Sequence, residues 1–169
     1  MERMDDTYET SYLYQGSTAE LIFRKAEIKD AGLLTEIYDS SFYSDYIRYG
    51  ECPGYGRTVE EMELSVAGYP KFIIVYDGRA VGSISCRETE KGAYEIGCLC
   101  VIPEFQGRGI GTAAVGFAKE HYSGWKSFTL VTPADKTGNI RFYTVKCGFE
   151  IRSYETVGNV KLARLVLER

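Results

Sequence analysis

Apolar residues in this chain recur at strand spacing in some segments and at helix spacing in others, which predicts a domain that mixes both. The stretch AELIFRKAE, residues 19–27, predicts the first strand. Asp30 is a candidate N-cap for the helix that follows. The apolar positions of that helix are three or four residues apart, at Leu33, Leu34, Ile37, Tyr38 and Phe42.

Residues 43–57 are rich in glycine and aromatic side chains, and this composition predicts a loop after the first helix. Thr58 and Glu61 have the spacing of a capping box, in which each side chain bonds the backbone N–H of the other residue. The pair therefore predicts a second helix that runs to about Gly68.

The middle of the chain predicts a hairpin and a long strand. KFIIVYDGRAVGSISCRE, residues 71–88, contains two β-rich runs joined at Asp77-Gly78, a dipeptide typical of two-residue hairpin turns. A second turn at TEKG leads to AYEIGCLCVIP, residues 93–103, which has the apolar character of a buried strand.

The last third predicts a helix from about Gly109 to Tyr122, a strand at SFTLVTP and a short helix that ends at Gly148. Two strands, FEIRSYETV and VKLARLVLER, close the chain. The predicted order β-α-α-β-β-β-α-β-α-β-β indicates an α+β fold with helices on the faces of a sheet. Residues 1–18 are polar and rich in tyrosine, and we interpret them as an N-terminal tail or strap.

Composition narrows the function classes. A chain of 169 residues suits one globular domain, and its net charge of -4 argues against a nucleic-acid partner. No apolar run is long enough for a signal peptide or a membrane span, so we expect a cytoplasmic protein with no membrane partner. Five cysteines without a CxxC pair, together with a single histidine, predict no metal site. We interpret the cysteines as small apolar fillers in a reducing compartment.

The most informative stretch is CVIPEFQGRGIGTAAVGFAKEHY, which has glycine at positions 107, 109 and 111. A strand-to-helix turn that happens to be glycine-rich is one interpretation. A dinucleotide-binding turn is another, because Gly109, Gly111 and Ala114 fit G-x-G-x-x-A. That fingerprint should follow a first strand directly and precede several more strand–helix units, which this sequence does not provide.

The third interpretation is a pyrophosphate cradle at a helix N-terminus. The backbone N–H groups of the cradle would face the anion, and the guanidinium of Arg108 would add a charge-assisted contact. This arrangement suits acyl-CoA, whose pantetheine arm could pair with the preceding strand near Cys100 and Val101. The cradle residues are Gly107, Arg108, Gly109, Ile110, Gly111 and Thr112.

The motif QGRGIG resembles the Q/R-x-x-G-x-G/A signature of the GNAT superfamily of acyl-CoA-dependent N-acetyltransferases, with Gln106, Gly109 and Gly111 at its fixed positions. The preceding VIPEF and a later N-x-x-x-Y…GF segment also match, the latter at Asn139, Tyr143, Gly148 and Phe149. The resemblance covers roughly residues 20–168. It implies one GNAT domain, residues 19–169, with a mixed, mostly antiparallel twisted sheet of six to seven strands and about four helices.

The resemblance also implies a reaction: transfer of the acetyl group of acetyl-CoA to a primary amine by direct attack in a ternary complex. Tyr143 matches the general acid at the thioester sulfur. Asn139 matches a residue that bonds the pantetheine arm, and an N-cap role after Gly138 is the structural alternative. Glu95 lies where some members have a catalytic glutamate, with an ordered water or a plain structural glutamate as the alternatives. Backbone N–H groups of Leu99, Cys100 and Val101 would bind the thioester carbonyl.

A covalent route is conceivable as well, because Cys98 and Cys100 lie on one face of the predicted strand. No histidine lies nearby in the sequence to activate either thiol, so we favour direct attack. A non-catalytic acyl-CoA-binding or sensor module on the same fold is the alternative function.

The acceptor is not determined by the sequence. In the family, the two helices after the first strand and the segment that joins them form much of the acceptor wall, and here that segment is rich in aromatic and acidic residues. These would suit a cationic amine, whereas a loop that only covers the core is equally consistent. The segment contains Phe42, Tyr43, Tyr46, Tyr49 and Tyr55 with Asp39, Asp45 and Glu51. A homodimer is compatible with the closing strand pair and its apolar edge.

Overall fold

Eight strands and four α-helices form the protein in the computed structural model, which describes residues 7–14 and 17–169, with side chains from Ala19 onward. The strands are β1 Thr7–Tyr14, β2 Ser17–Lys25, β3 Lys71–Tyr76, β4 Arg79–Glu90, β5 Ala93–Val101, β6 Ser127–Pro133, β7 Glu150–Val157 and β8 Val160–Glu168. The helices are α1 Ala31–Tyr49, α2 Val59–Gly68, α3 Ile110–His121 and α4 Thr137–Arg141.

The predicted α+β class and the predicted order of elements are confirmed. The sheet is mixed: β5 pairs with β6 in parallel, whereas the β2–β3, β3–β4, β6–β8 and β7–β8 ladders are antiparallel. The strand count exceeds the predicted six to seven because β1 pairs antiparallel with β2 along its whole length. This strand lies in the segment interpreted as a tail or strap, of which residues 1–6 and 15–16 lie outside the described residues.

The described residues form two compact units. The first contains the described residues up to Ser85 together with Cys98–Ala114, and the second contains Cys86–Gly97 with Val115–Arg169. In the first unit, β3 has Ile73 and Ile74 both fully buried, so side chains cover this strand on both of its faces. The helical part of this core comes from α1 and α2, with Leu34, Ile37, Tyr38 and Met62 buried.

Helix α1 extends further than predicted. It continues through most of the segment interpreted as a loop and ends at Tyr49, where Gly50 has φ +72° and donates its N–H to Tyr46 O at 2.8 Å. A left-handed glycine satisfies the last carbonyl groups of a helix, and the glycine-rich stretch therefore begins only at this cap. Tyr43, Tyr46 and Tyr49, which were predicted to lie in a loop, are consequently helical.

Two local predictions are confirmed in atomic detail. The Thr58 hydroxyl accepts the Glu61 N–H at 3.1 Å, and the Glu61 carboxylate accepts the Thr58 N–H at 3.3 Å, which is the capping box of α2. At the β3–β4 hairpin, Asp77 and Gly78 both have positive φ, 45° and 82°. This is the backbone that a two-residue hairpin turn requires.

The core of the second unit includes side chains of β6 and β8. Phe128, Leu130, Ala163, Leu165 and Phe149 are buried there. Helix α4 passes into a π-helical turn, Phe142–Lys146, which is closed by the Cys147 N–H donating to Phe142 O at 3.2 Å. Single π-helical turns occur frequently at functional sites.

Candidate functional site

The glycine motif forms the entry to α3. A short 3-10 turn, Pro103–Phe105, follows β5, and Gly107 and Gly109 then adopt left-handed backbone with φ of 76° and 77°. The first helical bond of the segment joins the Ala113 N–H to Gly109 O at 3.0 Å. The N–H groups of residues 110–112 therefore precede the helical ladder and are available to an external acceptor. They lie at the positive end of the helix dipole, where an anion is stabilised.

Side chains on either side of the glycines fix this loop. Gln106 donates from Nε2 to Val101 O at 2.9 Å, which ties the loop to the end of β5. The Arg108 guanidinium lies 4.5 Å from the centre of the Phe105 ring and 5.6 Å from that of Tyr76. It also donates to Glu104 O at 3.4 Å. These contacts hold the guanidinium against the two rings, and its contact with a pyrophosphate stays a prediction.

Strand β5 pairs with β6 at its beginning and lies close to β4 at its end. The parallel ladder with β6 joins Ala93, Tyr94 and Glu95 to residues 127–129, and β5 itself continues to Val101. Toward the end of β5, Gly82 of β4 is so close that an added Cβ would overlap Cys100 O and lie 3.3 Å from the Cys100 carbonyl carbon. Beside it, the Ile102 N–H donates to Val81 O at 2.8 Å. The predicted carbonyl-binding residues Leu99, Cys100 and Val101 lie in this segment.

The structure brings together a group of polar side chains in the first unit that the sequence interpretation does not place near one another. Its members come from α1, the segment before α2, and strands β3, β4 and β5. We call the group the donor cluster, and it consists of Tyr38, Arg57, Lys71, Ser83, Cys98 and Cys100.

The two thiols of the donor cluster differ in acidity. The hydrogen bond from the Cys100 thiol lowers the pKa of Cys98, and the nearby Tyr38 hydroxyl, Lys71 and Arg57 act in the same direction against the opposing effect of burial. The pKa of Cys100 is raised by its hydrogen bond to Cys98 and by burial. Burial alone raises the pKa of Cys86 to about 12, as expected for a filler. Cys98, by contrast, is partly exposed.

The remaining predicted site residues belong to the second unit. Glu95 forms a salt bridge with Arg87, with Arg87 Nη2 and Glu95 Oε1 3.3 Å apart, and about a third of its side chain is exposed. Asn139 donates from Nδ2 to Thr132 Oγ1 at 3.2 Å. It lies inside α4, whose N-cap is Lys136, so the N-cap alternative for Asn139 is wrong.

Tyr143 lies in the π-helical turn and is 7% exposed. Its ring centre is 4.8 Å from that of Phe142 and 5.6 Å from that of Phe149, and its carbonyl accepts the Phe149 N–H at 2.9 Å. These contacts fix the ring, as a residue that acts at one atom of a substrate requires.

The sequence matches a known protein family. A family model described as "Acetyltransferase (GNAT) family" matches residues 33–149. The uncharacterized protein YrkN of Bacillus subtilis is 33% identical over 89 residues, which are 52% of this chain and 48% of YrkN, so the match spans about half of that relative.

Solved structures share the fold at lower identity. An acetyltransferase from Thermus thermophilus superimposes with a TM-score of 0.72 at 20% identity, covering 88% of this chain and 97% of that one. The PaiA N-acetyltransferase of Thermoplasma acidophilum, in complex with coenzyme A, has a TM-score of 0.68 at 18% identity over 85% and 97% of the two chains. YncA of Salmonella typhimurium, with acetyl-CoA, has a TM-score of 0.68 at 16% identity over 88% and 93%.

Proposed function

The chain belongs to the GNAT family of acetyltransferases, and from this premise we propose that it transfers the acetyl group of acetyl-CoA to a primary amine of a small molecule or peptide. The observation that carries the proposal is the entry to α3. Two left-handed glycines and the N–H groups of residues 110–112 form an anion site at a helix N-terminus. Acetyl-CoA supplies the pyrophosphate for this site. The structures of PaiA with coenzyme A and of YncA with acetyl-CoA, which share the fold, support the choice of ligand.

The rest of the cofactor follows β5 in this proposal. The pantetheine arm pairs with backbone groups near Cys100 and Val101, and the thioester carbonyl accepts N–H groups in the segment that begins at Leu99. Asn139 bonds the arm from α4. The support for this arrangement is that β5 continues for six residues, 96–101, after its ladder with β6 ends.

The reaction requires one base and one acid. An alkylammonium group has a pKa near 10, so the acceptor must lose a proton before its nitrogen can attack the carbonyl carbon. We assign this proton to Glu95, directly or through an ordered water. As the amide bond forms and the carbon–sulfur bond breaks, the Tyr143 hydroxyl donates a proton to the departing sulfur. The second proton that the nitrogen releases restores the Tyr143 hydroxyl, and the base passes the first proton to solvent. The products are the acetamide and free CoA, and no covalent enzyme intermediate forms.

Replacing Tyr143 by phenylalanine tests the acid. We expect kcat to fall by about a hundredfold, because the sulfur would leave as an unassisted thiolate, while the Kd for acetyl-CoA stays within a few-fold. Steady-state kinetics and calorimetry measure the two quantities. Phe142→Leu, a change in the adjacent ring, controls for packing. Full turnover by Tyr143→Phe on an accepted amine would rule out the acid assignment.

Replacing Glu95 by glutamine tests the base. We expect a lower kcat and a pH–rate profile that differs from that of the wild type, because glutamine cannot accept a proton. Glu155→Gln is the matched control, since Glu155 also pairs with an arginine across two strands, at 3.2 Å from Arg164. If the pH–rate profile of Glu95→Gln coincides with that of the wild type, Glu95 is not the base, and an ordered water takes that role.

The proposed activity itself is tested by CoA release in the presence of acetyl-CoA and a panel of amines. Release that depends on an amine supports the transferase, whereas saturable acetyl-CoA binding without release for any amine would favour the sensor module. We further propose one domain over residues 19–169 and a cytoplasmic location. The five free cysteines suit a reducing compartment. The exposed Ile151, Tyr154 and Val157 of β7 are compatible with a homodimer through this strand.

A further inference from the structure

We propose that the donor cluster binds a carboxylate group carried by the acceptor, so that the acceptor is an amine of amino-acid type. The inference rests on the proposed acetyl transfer and specifies its substrate class. It arises from an imbalance: the cluster brings several hydrogen-bond donors and two cations together in a largely buried region, and among the described residues no carboxylate is one of the charges that act on them.

Lys71 is the centre of this imbalance. The residue is 4% exposed, and its ammonium lies 5.1 Å from the centre of the Tyr69 ring and 6.0 Å from that of Tyr38. Within the described residues, the ammonium forms no salt bridge, and burial lowers the pKa of Lys71. A buried charge without a counter-ion is costly, which favours either a ligand anion or loss of the charge.

One hydroxyl of the donor cluster also lacks a hydrogen-bond partner. In the described part of the chain, Ser83 Oγ has no such partner and Ser83 is 0% exposed, whereas the Tyr38 hydroxyl faces the Cys98 thiol. The Arg57 guanidinium lies 5.7 Å from the centre of the Tyr38 ring. It donates from Nε to Pro53 O and from Nη1 to Ser65 Oγ. Buried hydroxyls are normally hydrogen-bonded, so an unpartnered serine hydroxyl in a cluster that also contains a buried ammonium indicates an acceptor that arrives with a ligand.

A carboxylate fits this site better than a phosphate does. It carries one negative charge, which matches the single buried ammonium, and its two oxygens can each accept from more than one donor. A phosphate dianion would bring a second charge into the same buried position. Arg57 and Cys98 are only partly buried, so the cluster reaches the solvent through them.

The position in the chain links the cluster to the acceptor. Tyr38 belongs to α1 and Arg57 to the segment between α1 and α2, the same region that bears the exposed Tyr43 and Tyr46 and the half-buried Tyr55. The Tyr46 and Tyr55 rings are stacked with their centres 4.6 Å apart. Such rings suit the cationic amine, while the donor cluster suits the anionic end of the same molecule.

One group inside the protein competes with the ligand. A Cys98 thiolate would itself neutralise Lys71, since the two side chains lie close enough for the lysine to lower the pKa of the thiol. In that case the site would hold an ion pair and would not need a ligand anion. The experiment must therefore separate a thiolate from a bound carboxylate.

The first measurement compares acceptors that differ only in the anionic group. Linear ω-amino acids of increasing length, from glycine to 6-aminohexanoate, are tested against their carboxamides and the corresponding phosphonates. We expect at least one carboxylate to exceed its amide by about tenfold or more in kcat/KM, through KM, because charge-assisted hydrogen bonds to a buried cation exceed those to a neutral group. A series without this preference, or one in which the phosphonates react best, overturns the proposal.

The second measurement uses Lys71→Met, which keeps the length of the side chain and removes its charge. We expect the ratio of kcat/KM for a carboxylate to that for its carboxamide to fall to about one. We also expect the Tm of the ligand-free protein to rise, because the substitution removes an uncompensated buried charge. Lys29→Met is the control, since Lys29 is an exposed lysine paired with Glu27 at 3.0 Å, and it should change neither quantity. A lower Tm for Lys71→Met, together with slower alkylation of Cys98 by iodoacetamide at neutral pH, identifies the thiolate as the counter-ion and overturns the proposal.

A failure of the proposed function gives a different result. If no amine releases CoA, the transferase is wrong. The carboxylate site is then decided by thermal shift with N-acetylglycine and N-acetylglycinamide, which need no turnover. A Tm increase with the carboxylate alone, absent in Lys71→Met, supports the site, and equal effects of the two compounds contradict it.

Discussion

Gly82→Ala is expected to destabilise the protein by about 3 kcal/mol or more, roughly a hundredfold in the unfolding equilibrium. The added methyl group would overlap the carbonyl oxygen of Cys100 and would lie 3.3 Å from Val101 Cα. Both are backbone atoms, which cannot turn away as the end of a side chain can. Strands β4 and β5 must therefore separate, and the adjacent bond from the Ile102 N–H to Val81 O, at 2.8 Å, is weakened with them.

Chemical denaturation monitored by circular dichroism measures this loss. Gly116→Ala is the matched control, because Gly116 lies inside α3 with no atom within 4 Å of an added Cβ. Alanine is a better helix former than glycine, so the control should gain up to about 1 kcal/mol. Equal stability of Gly82→Ala and wild type would show that the two strands tolerate a wider spacing than the structure has.

Gly111→Glu is expected to weaken acetyl-CoA binding by at least about a hundredfold. The first turn of α3 presents its N–H groups to an anion, and a glutamate there places a competing negative charge at the same end of the helix. Glutamate is also acceptable in a first helical turn, so the fold should be retained and only the ligand lost. Calorimetric titration with acetyl-CoA measures the affinity, and the Tm verifies folding.

The control for charge is Gly116→Glu, which introduces the same side chain into the same helix beyond its first turn. Its affinity for acetyl-CoA should stay within a few-fold of wild type. If Gly111→Glu binds as tightly as wild type, the pyrophosphate does not lie at the N-terminus of α3. If both variants lose binding equally, the loss reflects net charge and not the cradle.

Local rules predict most of the secondary structure. The Asp77-Gly78 hairpin and the Thr58–Glu61 box depend on a few adjacent residues, so their sequence signals suffice. The predicted end of α1 is too early because aromatic residues and glycine together are typical of a loop, whereas only Gly50 ends the helix. Strand β1 escapes prediction because its pairing with β2 is a contact between segments, and a polar strand at the edge of a sheet has a weak sequence pattern.

One part of the candidate site can be predicted from local sequence, and the other part cannot. The cradle at α3 is predictable because glycine spacing reports directly on backbone conformation, and two of its three glycines have positive φ. The donor cluster is not predictable from the sequence, because Tyr38, Lys71 and Cys98 come from three separate elements and none of them belongs to a recognisable motif. The sequence interpretation considers only a histidine as the group that could activate Cys98 or Cys100. The groups that lower the pKa of Cys98 are instead a second thiol, a tyrosine, a lysine and an arginine.

The central claim, that this protein uses acetyl-CoA, is tested most directly by calorimetric titration of the wild-type protein with acetyl-CoA and, separately, with NADH. The account predicts saturable binding of acetyl-CoA at one site per chain and no heat of binding for NADH, since the glycines enter α3 from the fifth strand and not from a first strand. Binding of NADH alone, or of neither compound, would contradict it.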